Sequence, residues 1–276
     1  MLICPQCQFE NQLSNRFCQE CGTPLTHKIC HSCGADVALD AETCNSCGAV
    51  VGTYWWAIVQ TEPPETIPVG EYLDRAQRYR LLQTLPISAT TSTELETLVL
   101  DCRPFQMSLL EVLFAQKSES QNLRQAGLDP AVTTIQDVIP ETARPYLDLQ
   151  AQLDPALPAI YDAWRQGNCQ VVLLENRSDW TRLVDSWQSE RASLPQQLYW
   201  LHEMVLLWEA LEPWRCRQSL LALDNLVVDE DLVLCMRRLW VEDNDLSLRD
   251  LGAFWQQLFN TAEETQVDVA KLLDDL

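Results

Sequence analysis

Apolar residues are distributed in two regimes: short runs broken by turn formers over most of the chain, and helical stripes near its end. Tyr54–Val59 is aromatic and β-branched and predicts a strand. Tyr79–Leu85 predicts a second and Leu95–Asp101 a third, with a turn-rich stretch between them. Pro86, Pro104, Pro130 and Pro140 divide this region into short elements. Beyond Pro155, Pro158 and the segment Ala159–Arg165, the run Gln170–Glu175 reads as a buried strand.

Ser178–Trp187 and Pro195–Leu211 predict helices, the second opening on a proline where a missing N–H costs little. Its apolar positions cover most of the circumference. Leu198, Leu201, Val205 and Trp208 form one stripe, and Trp200, Met204, Leu207 and Leu211 another, which predicts burial on several sides. Asn225–Val228 and Leu232–Met236, joined by the acidic turn Asp229-Glu230-Asp231, predict a β-hairpin. Ser247 with Asp250 reads as a capping box for a last amphipathic helix through Phe259.

The first fifty residues follow a different rule. Four CxxC pairs (Cys4/Cys7, Cys18/Cys21, Cys30/Cys33, Cys44/Cys47) repeat with a shift of 26 residues, each unit reading CxxC, ten residues, CxxCG. Two residues between cysteines let both sulfurs of a tight turn face one ion, half of the tetrahedron that Zn²⁺ prefers. Gly22, Gly34 and Gly48 follow a second cysteine, where positive φ is required. The ten-residue spacer is enough for a short hairpin. Each unit is too short to bury a core, so metal must supply the folding energy, on the order of 10–16 kcal/mol per structural zinc. The eight cysteines therefore predict two structural Zn²⁺ in closed four-thiolate sites. Pairing within each unit is favoured over cross-bracing because the repeat makes each unit self-sufficient.

The formal charge is −21, from 19 basic and 40 acidic residues. Two tetrathiolate zinc sites would take it to about −25. Both nucleic acid and anionic membrane need a basic footprint, so the charge opposes them as partners and favours basic or apolar protein surfaces. Residues 1–50 carry only Arg16 and Lys28 against five acidic residues. No secretory signal is visible, and Ala49–Val59 is too short to span a bilayer, so a cytoplasmic location is expected. There reduced cysteine pairs hold metal rather than form disulfides. The ten tryptophans are expected as core or interface anchors.

Residues 1–50 resemble the double zinc ribbon family, which implies a protein-interaction or scaffold module. After a strand and linker over 51–70, marked by Glu62-Pro63-Pro64-Glu65 and Pro68-Val69-Gly70, residues 71–276 resemble a protein kinase domain in the order of their elements. The small lobe would cover about 71–175 and a partial large lobe about 176–276. RYRLLQTLP is similar to the opening strand, LVLDC to the strand of the phosphate-anchoring lysine, QVVLLE to the strand entering the hinge, and DNLVVDEDLVLCM to the catalytic-loop hairpin. LRDLGAFWQQLF resembles a large-lobe helix.

The kinase motifs are degenerate. No glycine occurs between Gly70 and Gly127, and Asp101 stands in the lysine's place. Cys216-Arg217-Gln218-Ser219-Leu220 replaces His-Arg-Asp, and Arg237-Arg238-Leu239 stands near the Asp-Phe-Gly position. Only Asn225 matches a metal-binding asparagine. Phosphoryl transfer needs the lysine, the base and the Mg²⁺ ligands together.

The combination also resembles the N-terminal part of cyanobacterial-type serine/threonine phosphatases of the metal-dependent (PPM) class, whose catalytic domain follows such a region. No stretch of that length follows here. The expected architecture is α+β: a double zinc ribbon of β-hairpin knuckles joined to a degenerate, incomplete, two-lobed kinase-like domain. The implied function is a non-catalytic regulatory or docking module in phosphorylation signalling, partnering a PPM-type phosphatase domain. The rival readings are a weak nucleotide-binding or phosphotransfer enzyme of kinase-like fold acting through Asn225 and neighbouring acids, and a nucleic-acid-binding ribbon.

The remaining signals are structural. His202-Glu203 begins an HExxH motif that Leu206 leaves incomplete, and His202 is expected as a hydrogen-bonded core residue. Cys102, Cys169, Cys216 and Cys235 have no CxxC partner and are expected as buried small hydrophobes. His27 and His31 are expected as bystanders beside the second zinc site. Asp229-Glu230-Asp231 is expected as a solvated turn and Glu263–Asp275 as an acidic solvated end.

Overall fold

The structure, a computed structural model, describes residues 1–61, 70–84, 94–116, 138–187, 189, 192–242 and 245–274. Residues 62–69 of the strand and linker expected over 51–70, with Pro86, Gly127 and Pro130, lie outside the described residues, as do the side chains of the acidic end. The chain divides into two compact units, Met1–Ala143 with Ile160–Glu175, and Arg144–Ala159 with Asn176–Leu276.

The first unit opens with two small hairpins, β1 (Leu2–Ile3) with β2 (Glu10–Asn11) and β3 (His27–Ile29) with β4 (Asp36–Ala38). Each hairpin straddles the first CxxC turn of its repeat rather than filling the ten-residue spacer. Single bridges, Phe17 to Pro24 and Thr43 to Val50, straddle the second turns in the same way. A knuckle at the tip of a tiny antiparallel pair positions two sulfurs with a minimum of chain.

A five-stranded antiparallel sheet follows, built from β5 (Tyr54–Thr61), β6 (Tyr79–Leu81), β7 (Glu94–Asp101), β8 (Ile160–Gln166) and β9 (Cys169–Glu175) in the order β6-β7-β5-β9-β8. The strand Tyr54–Thr61, set apart by the sequence with the linker, is the centre of this sheet. It lies between the Leu98–Asp101 segment and Gln170–Glu175, which the kinase resemblance treats as strands of one lobe, and those two do not pair. Burial explains its central place: Ala57, Ile58 and Val59 are all buried, and such a run demands cover on both faces.

The core of this unit joins Ala57, Val59, Val99, Val171 and Leu173 with Tyr79 and Trp164, whose rings stack 5.2 Å apart. Buried Asp162 accepts the Tyr79 hydroxyl at 2.9 Å and the backbone N–H groups of Leu109 and Leu110, capping the helical segment 109–116. The ribbon is tied to this sheet region. Ile3 N–H donates to Phe105 O at 2.6 Å, Met107 N–H to Met1 O, and Arg80 pairs with Glu42 at 2.9 Å.

The second unit contains α1 (Arg144–Leu153), β10 (Thr181–Arg182), α2 (Leu183–Trp187), α3 (Leu194–Leu211), β11 (Leu226–Val228), β12 (Leu234–Met236) and α4 (Leu248–Asp274). The expected hairpin is present, with β10 added along β11. The helix expected over Ser178–Trp187 is shorter. Arg177 donates to the carbonyls of Pro155, Leu157 and Met236 and lies over the Trp180 ring, and Thr181 and Arg182 are extended against Val228 and Val227. The cap of α4 is present: Asp250 Oδ2 accepts both the N–H and the hydroxyl of Ser247. The helix runs well past Phe259.

Helix α3 departs from expectation. Trp200, Met204, Leu207, Trp208 and Leu211 are buried, whereas Leu198 is 57% exposed and Leu206 is also exposed. One face is covered, not several. His202 lies on the open face and is not a core residue. Cys216 and Cys235 are buried as expected, while Cys102 and Cys169 are only partly covered.

Candidate metal centres

In each of the four knuckles the first cysteine's N–H is donated five residues ahead and its carbonyl accepts an N–H from four residues ahead. Cys4 N–H reaches Phe9 O and Gln8 N–H reaches Cys4 O; the pairs at Cys18, Cys30 and Cys44 repeat this to within about 0.2 Å. The residue after the second cysteine must then adopt positive φ. Gly22, Gly34 and Gly48 do so at 74°, 73° and 75°, and Gln8 does so at 60°. A Cβ at the three glycines would meet nothing within 4 Å, so the demand is torsional, not steric. The left-handed region costs a non-glycine residue about 1–2 kcal/mol. We expect Gln8→Gly to strengthen the first site by up to about 1 kcal/mol once the greater freedom of unfolded glycine is offset, read as slower zinc loss to a chelator.

The knuckles converge in pairs. Cys4, Cys7, Cys18 and Cys21 form one cluster and Cys30, Cys33, Cys44 and Cys47 the other, with all sulfurs of a cluster within 4.8 Å of one another. Sulfur–sulfur distances are 3.5 Å for Cys4–Cys21, 3.6 Å for Cys7–Cys18, and 3.7 Å for both Cys30–Cys47 and Cys33–Cys44. A tetrahedral ion with bonds of about 2.3 Å needs edges of about 3.8 Å, so the cages have the size of Zn²⁺. A disulfide would bring two sulfurs to about 2.05 Å, and all twelve cysteines are free. Pairing is sequential within each repeat, not cross-braced.

The polypeptide prepares the thiolates. Burial opposes charge on Cys18, but the N–H groups of Cys21 and Glu20 and the Asn11 amide outweigh it and bring the thiol down to about 6. The N–H groups of Ser46 and Cys47 bring Cys44 to about 6 as well. Cys7 receives the Phe9 N–H, yet desolvation within the cluster and the sulfurs of Cys21, Cys18 and Cys4 push it up to about 12. Four thiolates at this spacing repel one another unless a divalent cation sits among them, so the donor set itself calls for metal.

In each CxxC pair the first cysteine is buried and the second exposed. Buried Asn11 braces the first site, donating to Cys18 Sγ at 3.5 Å and accepting Gln19 N–H at 3.0 Å. The corresponding residue of the second repeat, 26 positions on, is Val37, which packs with Cys30 and Cys44 instead. The Asn11 brace was not foreseen; its only sequence signal is a polar residue at a position where the sister repeat is apolar. His27 pairs with Asp36 at 3.3 Å and joins neither cage, nor does His31. With four protein ligands filling each ion, the sites are structural and leave no open position.

The residues at kinase-like positions are committed elsewhere. Asn225, 2% exposed, donates both amide hydrogens, to Ser219 O and Arg238 O, and its Oδ1 accepts the Arg238 N–H. Asp101 is wholly buried against Arg78 in a bidentate pair, 3.0 Å to Oδ1 and 2.9 Å to Oδ2. Arg217 lies over the Trp208 ring and donates to the Trp208 and Leu246 carbonyls. The turn after β11 is held by Asp229 Oδ1, which accepts the N–H groups of Asp231 and Val233. Burial pushes the Cys216 thiol up to about 12.

Among the described residues no helix is long and apolar enough to cross a membrane. No curated protein matches the chain. Residues 4–48 match the family model for the double zinc ribbon, and together with the two four-cysteine cages this makes the N-terminal segment a double zinc ribbon that binds two Zn²⁺.

Proposed function

We propose that this protein is a non-catalytic docking module, its N-terminal contact surface stapled by two structural zinc ions. The observation that carries the reading is the engagement of Asn225. The oxygen that a Mg²⁺ would take is held in the interior by the Arg238 N–H, and the segment Cys216–Leu220 beside it offers no carboxylate base. The ribbon also exposes large apolar side chains, Leu13, Phe17, Ile29 and Val50 among them. Large apolar side chains left solvated on a metal-stapled module are the material of a protein interface.

Nucleic acid is disfavoured by charge. Of the ribbon's two cations, Lys28 spends its ammonium on the carbonyls of Leu39 and Ala41. Within this reading the element order of residues 71–276 suggests phosphorylation signalling as the setting and a PPM-type phosphatase domain as the first partner to try.

We expect zinc-loaded protein to show no thermal shift and no phosphate release with Mg²⁺-ATP. Saturable stabilisation together with turnover would establish an enzyme instead. The docking half is checked by titrating a PPM-type phosphatase domain into zinc-loaded and zinc-stripped protein. Binding should be confined to the loaded form.

A further inference from the structure

Within the first unit a groove of about 450 Å³ is formed where three stretches of chain meet: the first zinc repeat, the end of the second hairpin, and the loop after β7. Its apolar lining is Leu2, Leu13, Leu25, Leu39 and Phe105. Its polar lining is Asn15, Thr26, Arg103 and Gln106, with no carboxylate among the nine residues. In a chain of formal charge −21 that is a local exception.

Two donors of the lining residues find no protein acceptor among the described residues, one buried and one exposed. Asn15 Nδ2 is buried without a hydrogen-bond partner among the described residues, and a buried donor left unpaired is costly. Arg103 gives its backbone N–H to Asp101 Oδ1, while its exposed guanidinium pairs with no carboxylate among the described residues. The volume falls in the range of small-ligand sites, but Leu13 is 62% exposed and carries the apolar surface out beyond the groove. An occupant that covers it is longer than a compact small molecule.

We propose that this groove binds a short linear peptide of a partner protein in which one carboxylate is flanked by aliphatic side chains. The carboxylate meets Arg103 and the Asn15 amide, and the aliphatic groups cover Leu2, Leu13, Leu25, Leu39 and Phe105. A guanidinium that is always charged and an amide donor set in an apolar surround favour an anionic acceptor over a cation. The peptide's single acid sets its local fit, while the overall acidity of the chain selects partners that are otherwise neutral or basic. The inference rests on the docking reading above and adds the site and the chemistry of the bound segment.

The test is selection of random short peptides displayed on phage against the full zinc-loaded chain, followed by affinity measurements with synthesised winners. Expected winners carry Asp, Glu or a free C-terminus among aliphatic residues. Replacing that acid by its amide, or introducing Arg103→Glu or Asn15→Asp, should weaken binding about tenfold or more, while Arg103→Lys keeps most of it. Arg103 is exposed, so R103E leaves the fold and the zinc content unchanged, and both are checked for each variant.

No enrichment, basic winners, or winners indifferent to R103E and N15D would overturn the proposal. So would self-association of the chain that these substitutions abolish, which would give the groove to a second copy. A phosphatase domain that binds in a zinc-dependent way but ignores both substitutions would sink the groove and leave the docking reading standing. ATP turnover would sink that reading by itself.

Discussion

Cys18→Ser is expected to lower the zinc content of the purified chain from two equivalents to one and to unfold the first repeat. Cys18 is one of four ligands in a closed cage, and its sulfur is the one braced by Asn11. Around that cage the buried apolar cluster amounts to Cys4, Cys18 and Leu25, with Leu2 and Phe105 against it, far too little to hold a repeat of 26 residues without metal. A structural zinc contributes on the order of 10–16 kcal/mol near neutral pH, and a three-cysteine remnant keeps only a fraction of that. The loss propagates to the loop after β7, because Ile3 and Met1 bond to Phe105 and Met107. The second repeat has its own four sulfurs and its own small cluster of Cys30, Val37 and Cys44, so it keeps its ion. Elemental analysis and amide exchange over residues 1–26 read both effects. Retention of two equivalents would refute the ligand assignment, and loss of both would show that the repeats fold as one cooperative body.

The second large effect is at Asp101. Replacing it with asparagine is expected to cost about 3–5 kcal/mol in global stability of the first unit, because the variant leaves a buried guanidinium without its counter-charge. Arg78 is 4% exposed and Asp101 not at all. Both carboxylate oxygens receive Arg78, one also accepts the Arg103 N–H, and Tyr161 bridges the pair through its hydroxyl.

Removing both charges together, as Arg78→Met with Asp101→Leu, should recover most of the loss, since a well-packed apolar pair in place of a buried ion pair is close to neutral. Denaturant midpoints for the three variants measure this. A cost below about 1 kcal/mol for Asp101→Asn would mean the pair is solvated and the burial argument fails. The double variant separates structure from ligand binding: a carboxylate that served a nucleotide would not be rescued by deleting its arginine.

The zinc cages were legible because every contact that makes them is short in sequence. A knuckle is one turn, its hydrogen bonds span four and five residues, and two turns ten residues apart suffice to enclose an ion. The glycines after the second cysteine were legible for the same reason, and Gln8 stands in the same torsional slot without the glycine signal. Strands β7 and β9, the β11–β12 hairpin and the Ser247–Asp250 cap were also readable from local pattern.

What the local pattern left open has one cause. Tyr54–Val59 was readable as a strand, but its neighbours were not: pairing on both edges, with β7 and β9, places it at the centre of the sheet. Helix α3 was expected to be buried on several sides because apolar residues cover most of its circumference, yet composition cannot say which faces find a partner, and His202 came out exposed.

The sequence by itself therefore determined the metal chemistry, the two-ion stoichiometry and the anionic character of the chain, since ligand type, spacing and charge are properties of neighbouring residues. Only the tertiary structure decided that Arg78 meets Asp101 across 23 residues, that Asn225 is locked into the hairpin it precedes, and that residues from 2 to 106 line a single groove. Those outcomes depend on strand register and on which surfaces exclude water, and both are fixed by contacts between distant segments.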